Sequence, residues 1–243
     1  MAAEPHGGAR MTVVEHLTEL RRRLMISLVA IALGAIVAFV LYNRILHVLI
    51  GPYCDTVHGR QCRLFVTSPL EPFAIRLRIA AYGGIALAAP VLFWETWRFV
   101  TPGLHPKEKR YAIPFMVSSV LLFALGGVIA WVTLPKALSF LVGIGGHNLE
   151  TIFSPEKYVS LIALMILAFG VSFEFPILLV FLELVGVVTP RRLSSWRRPA
   201  IVVIVAFAAV ITPSQDPFSL FAMAIPMYVF YEVSILIGKV VKR

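Results

Sequence analysis

The chain has 243 residues, of which 59% are hydrophobic and 14% charged, with a mean hydropathy of +0.86. Soluble domains have about 45–50% apolar and about 25% charged residues, so a soluble globular enzyme and a disordered chain are both excluded. A net charge of +9 would suit a nucleic-acid partner in a soluble protein. In a chain this apolar it reads as the Lys and Arg excess of cytoplasmic loops, and no nucleic acid is expected.

The charges mark the spans. Residues 1–14 read as a disordered tail, not a signal peptide, because the basic cluster that follows leads into a stretch too long for an h-region. His16-Leu17-Thr18-Glu19-Leu20-Arg21-Arg22-Arg23-Leu24 reads as a short amphipathic helix entering span one, with Glu15, Glu19 and Arg23 on one face at i, i+4, i+8. Helices are expected over about 22–45, 74–99, 111–140, 158–185, 198–212 and 218–238, each near the roughly 20 residues that a crossing needs. The fold class is therefore an all-α integral membrane protein of six spans in a single membrane domain. An even count puts both termini on one side. That side receives fifteen of the 22 Lys and Arg residues and the other seven, which places both termini in the cytoplasm.

The segment Ile45–Phe73 reads as the longest outer loop, carrying Pro52, Cys54, Cys62, His47 and His58. Two cysteines exclude a disulfide-scaffold protein and a cysteine-only metal site. On the outer side Cys54 and Cys62 could pair, and spacing alone leaves that open. A metal site there is disfavoured, and no cofactor site is expected. Prolines at 90, 114, 135, 176, 199 and 226 lie in or beside the spans and favour kinked helices and a curved wall.

The chain lacks the motifs of an intramembrane enzyme. There is no HExxH. Ser172, in Gly170-Val171-Ser172-Phe173, has no base near it in sequence, because all six histidines precede it outside the apolar stretches. It reads as a small packing residue, and no catalytic residue is expected.

The scarce acids are more telling. Glu174 falls near the middle of span four. It reads either as a protonated carboxyl bonded to a neighbouring helix or as a polar site on a concave face. Glu183 is nine residues on, about 180° around a helix, so the two cannot form a dyad. Glu183, Glu95 and Glu232 fall nearer span ends, within reach of headgroups. Glu108 stands among four basic residues in the loop after span two. Acids on a basic face are candidates for reading a guanidinium through a two-pronged hydrogen-bonded fork. A proton-coupled small-solute transporter, with Glu174 as the coupling acid, is the alternative. No internal repeat supports it.

Taken in order, the motifs resemble TatC, the polytopic subunit of twin-arginine (Sec-independent) protein translocases. They are His16-Leu-x-Glu19-Leu-Arg21-x-Arg23, Ser68-Pro69-x-Glu71-Pro-Phe73, Ala89-Pro90 with Trp97-x-Phe99, Pro102-Gly-Leu, Glu108-Lys-Arg110, Phe169-Gly-x-Ser-Phe-Glu174-x-Pro176, Arg197-Arg198-Pro199, Thr212-Pro213 and Ala224-Ile-Pro226-Met-Tyr with Glu232. The resemblance covers about Glu15 to Val240. It implies a curved, cup-like six-helix fold that binds Arg-Arg signal peptides of folded cargo and exports the cargo with the proton-motive force. It implies single-span TatA- and TatB-type partners, further copies of the same chain, surrounding membrane lipid and a bacterial cytoplasmic membrane location. By resemblance, Glu19 and Glu108 read the arginine pair, Phe99 and Arg21 flank them, and Glu174 docks the single-span partners. Pro52 matches a sensitive outer proline. Asp216 resembles the acid after Thr-Pro in the last outer turn, with Ser214-Gln215 inserting one residue. Cys54 and Cys62 lie outside the pattern.

Overall fold

The structure is a computed structural model and describes residues 13–56, 65–66, 68–100, 112–144 and 154–241. Every regular element among the described residues is an α-helix: α1 (Val13–Val40), α2 (Tyr42–Thr56), α3 (Glu71–Val100), α4 (Ala112–Ile144), α5 (Pro155–Ser172), α6 (Phe175–Leu184), α7 (Pro190–Ser195), α8 (Arg197–Ile211) and α9 (Pro217–Val241). In lipid no water is available to satisfy backbone N–H and C=O groups, so apolar runs close their hydrogen bonds within themselves. Among the described residues, five stretches are long and apolar enough to cross a membrane: Val14–Val40, Glu71–Val100, Ala112–Ile144, Pro155–Leu184 and Pro217–Val240. The chain is a multi-pass membrane protein. The 15 residues of α8 span only about 22 Å, short of the roughly 30 Å hydrocarbon core. The 33 residues of α4 reach about 50 Å, well beyond it.

The helices depart from the sequence-based bounds in three places. First, α1 is a single 28-residue helix from Val13, so the amphipathic segment and the first span are continuous. Second, the first part of the expected outer loop, residues 45–56, belongs to α2. Tyr42, Ile45, Leu46, Leu49, Ile50 and Tyr53 recur at helical spacing and pack on the core, an apolar stripe that a reading based on charge gaps passes over. The Tyr158 hydroxyl donates to the Leu49 carbonyl at 2.8 Å and ties α2 to α5. Third, the fourth span breaks into α5 and α6. Pro176 has no N–H to give the Ser172 carbonyl. The chain tightens there, with Glu174 N–H donating to Val171 O at 3.1 Å before α6 resumes with Leu178 N–H to Glu174 O at 3.1 Å.

The core lies where α4, α5 and α9 meet, around Leu134, Val159, Met165, Phe169, Phe173, Met223 and Ile235. Much of the remaining apolar surface faces outward, as a lipid-facing protein requires. The α1–α3 contact is made by small residues. A Cβ on Gly84 would lie 2.7 Å from Ala35 N, and one on Gly34 would lie 2.7 Å from Gly84 O. In a membrane such close backbone approach replaces the missing hydrophobic drive between helices. Gly84→Ile should therefore destabilise the protein by about 1–3 kcal/mol through overpacking. Gly143→Ile, where a new Cβ meets nothing within 4 Å, should be near neutral. Thermal melting in detergent distinguishes them, and equal melting of the two variants would refute the close-contact account.

Candidate functional site

The first cluster forms where the start of α1 meets the end of α3. Glu19 and Arg23 lie one helical turn apart, which brings their side chains together. Arg23 donates from Nε at 3.1 Å and from Nη2 to the same Glu19 oxygen, Oε1. Its third contact crosses to α3, with Nη1 donating to Glu95 Oε2 at 3.1 Å. All three side chains are largely buried, with relative exposures of 19% for Glu19, 13% for Arg23 and 9% for Glu95. The other Glu19 oxygen, Oε2, is buried with no hydrogen-bond partner among the described residues. One turn further along each helix, His16 stacks on Phe99, with ring centroids 4.6 Å apart and planes 26° apart. Arg21 lies on a neighbouring stripe of α1 with Thr18, Arg22 and Met25, lining an open cleft of about 560 Å³. Glu108 lies outside the described residues.

The second cluster is a groove of about 500 Å³ walled by α3, α4 and the α5–α6 break, with Phe207 of α8 also lining it. Its lining is apolar and aromatic except for Thr96, Ser119, Ser172 and Glu174. The break at Pro176 sets Glu174 at this wall. Its Oε1 is buried without a hydrogen-bond partner among the described residues, and its carboxyl interacts with the Ser119 side chain. Trp97 Nε1 donates to Ser119 Oγ at 3.1 Å. The Trp97 ring stacks on Phe115 at 4.8 Å and meets Phe181 edge-on at 5.6 Å. Ser172 donates its hydroxyl to the Ala168 carbonyl at 2.6 Å. It is a helix-bonded packing residue.

The remaining sites are built into helix ends. Pro52 is buried inside α2 and not in a loop. Cys54, in the last turn of α2, is disulfide-bonded, and Cys62 lies outside the described residues. Asp216 is 1% exposed. Its Oδ1 accepts from Ser219 N–H at 2.8 Å, and its Oδ2 accepts from the Ser214 hydroxyl. It caps the start of α9. Gln215, just before it, takes φ of 49°, in the left-handed region. A matching cap serves α5: Glu71 Oε1 accepts from the Ser154 hydroxyl at 2.7 Å and from Glu156 N–H at 3.3 Å.

The three acids expected to reach headgroups do otherwise. Glu95 turns inward to Arg23. Glu183 is 1% exposed and packs against α9, where a Cβ on Gly238 would lie 2.2 Å from its Oε2. Glu232 binds Arg197 side-on, with Nε to Oε1 and Nη2 to Oε2 both at 2.7 Å, joining α8 to α9. From the sequence, Glu95 reads only as a headgroup contact, His16 and Trp97 are named only within motifs, and Ser119 is not mentioned. The available signal was that Glu95 and Phe99 share one face of α3 at i, i+4, opposite Trp97.

Fold and clusters together define a polytopic helical membrane protein with a charged site at one helix end and a separate acid-bearing groove. The family described as "Sec-independent protein translocase protein (TatC)" matches residues 15–226. A TatC of Frankia casuarinae is 41% identical over 240 residues, covering 95% of this chain and 66% of the relative. A TatC of Aquifex aeolicus is 38% identical, covering 96% of this chain and 97% of the relative. The chain thus spans just under two thirds of the Frankia protein and nearly all of the Aquifex one. A crystal structure of the twin-arginine translocase receptor TatC superposes with a TM-score of 0.77 at 38% identity, covering 94% of this chain and 100% of that one. The chain belongs to the TatC family of Sec-independent protein translocase proteins.

The Asp216 geometry yields a prediction. Removing the cap in Asp216→Ala should cost about 0.5–2 kcal/mol, read as a lower melting temperature in detergent. Asp216→Asn, which keeps an acceptor, should recover most of it. If Asn proved as damaging as Ala, the role would lie in the charge and not in the cap.

Proposed function

We propose that the chain is the receptor subunit of a twin-arginine translocase in a bacterial cytoplasmic membrane. In this reading it has six spans, with α8 as the short fifth, and both termini in the cytoplasm. It forms a cup whose groove faces partner helices. It binds Arg-Arg signal peptides of folded cargo. Single-span TatA- and TatB-type partners and further copies of the chain join it to export that cargo with the proton-motive force. It acts by recognition and not by catalysis.

The observation that carries this reading is the Glu19 carboxylate at a basic helix end, with one oxygen engaged by Arg23 and the other buried without a partner among the described residues. A guanidinium offers planar paired donors to such an acceptor, which a Lys ammonium does not match. The surrounding Arg residues repel cations in general, so only a ligand that makes directed hydrogen bonds overcomes them. Glu108 supplies the second acid and Phe99 the flanking ring, both by family resemblance. Arg21, on the neighbouring stripe of α1, is a secondary contact. Glu174, in its aromatic groove, suits a partner helix that brings one polar group into an apolar contact.

Site-specific photocrosslinking from positions 19, 99, 108 and 174 tests the scheme. Glu19→Ala or Glu108→Ala should stop export while leaving the protein inserted. Each removes a charge-assisted hydrogen bond of about 1.5–3 kcal/mol. A double variant that still crosslinks a twin-arginine peptide normally would sink the receptor assignment. Glu174→Ala should reduce co-purification of the single-span partners more than peptide crosslinking. Unchanged co-purification would argue against the docking role.

A further inference from the structure

The cytoplasmic cluster contains a cation that competes with the proposed ligand. Arg23 is a guanidinium already on Glu19. Taken alone, an Arg–Glu pair is neutral, and its favoured geometry is a fork that engages both carboxylate oxygens. Such a pair would leave Glu19 neither the charge nor the acceptor to attract an arginine. Neither condition holds here. Both Arg23 contacts to Glu19 fall on Oε1, while Nη1 is drawn across to Glu95 on α3. With both carboxylates ionised, the triad carries one net negative charge, and the buried Glu19 Oε2 keeps no hydrogen-bond partner among the described residues. The three side chains are mostly withdrawn from solvent, so one charge more or less matters more than it would at an exposed surface.

We propose that Glu95 is a positioning and specificity-determining residue of the arginine-reading site. It holds the Nη1 edge of Arg23 and offsets its charge, so that Glu19 keeps Oε2 free for a guanidinium of the signal peptide. The proposal rests on the receptor reading above. Glu95 itself touches Arg23 and not the ligand. The close approach of α1 and α3 at Gly34 and Gly84, with the His16–Phe99 stack, fixes the distance across which Arg23 reaches.

The test is equilibrium binding of a fluorescent Arg-Arg signal peptide, with a Lys-Lys peptide as control, to the full chain in nanodiscs. Glu95→Gln keeps size and an acceptor but removes the charge. It frees Arg23 to fork Glu19, and Arg-Arg binding should fall roughly tenfold or more. Adding Arg23→Gln removes the competing cation, so the double variant should regain most of that loss. A double variant as weak as Glu95→Gln would mean that Glu95 serves only to hold the helices, and would overturn the proposal. If Glu95→Gln alone does not accumulate, the comparison within the Arg23→Gln background still tests the proposal. In an Arg23→Gln background, adding Glu95→Gln should change binding by less than about threefold, and a further tenfold loss there overturns the proposal. Glu19→Gln separates the two levels. If it binds like wild type, the receptor reading itself fails. If it loses binding while Glu95→Gln does not, only the Glu95 role fails.

Discussion

The contact of α1 with α3 fixes the charged site. It depends on two glycines, since any side chain at Gly34 or Gly84 would meet the opposite backbone. Only with the helices this close can Arg23 hold an acid on its own helix and another on its neighbour. Small residues in the membrane interior thus set the geometry of a charged network at the membrane edge. The distance between the two levels is about three helical turns along α1.

Charge in this chain has two separate uses. The Lys and Arg excess is broad, 22 residues against 13 acids. The acids are scarcer, and several of the described ones sit where a specific group is needed. Glu71 and Asp216 cap helices, where a negative group meets unpaired N–H donors and the positive end of the helix dipole. Glu95 and Glu232 join helices through arginines, and Glu156 does so through Arg78. Glu19 and Glu174 differ from these structural acids, because each retains a buried oxygen with no partner among the described residues. A buried, unsatisfied acceptor costs stability, and retaining it makes sense where a ligand or partner supplies the missing donor.

Much of the architecture is legible in the sequence because lipid imposes a coarse rule. Uncharged stretches of sufficient length become helices, and the gaps between charges outline them. The same rule fails where its assumptions do. It misses α2, whose residues are too mixed in polarity to read as a span but whose Tyr42-to-Tyr53 stripe packs on the core. It treats Glu95 and Glu183 as headgroup-facing because they lie near span ends. Their partners, Arg23 and the cleft at Gly238, lie on other helices at separations that periodicity cannot show. Asp216 is legible as an acid in a turn, but its capping role depends on Gln215 adopting a left-handed backbone, which the spacing alone leaves undetermined. Ser172 is the opposite case, since the absence of a base already points to packing and its bond to Ala168 O agrees.

The two clusters are not independent, because they occupy opposite faces of the same two turns of α3. Glu95 and Phe99 look toward α1, while Phe93, Thr96, Trp97 and Val100 line the groove that contains Glu174. Two residues along a helix correspond to a rotation of about 200°, so Glu95 and Trp97 point in nearly opposite directions from one rigid segment. Any rotation of that segment that adjusts Glu95 against Arg23 also carries Trp97 against Ser119, and through Ser119 it reaches the carboxyl of Glu174. Pro90, five residues before Glu95 in α3, deprives the Ala86 carbonyl of its helical partner. The two clusters therefore share one element, the end of α3.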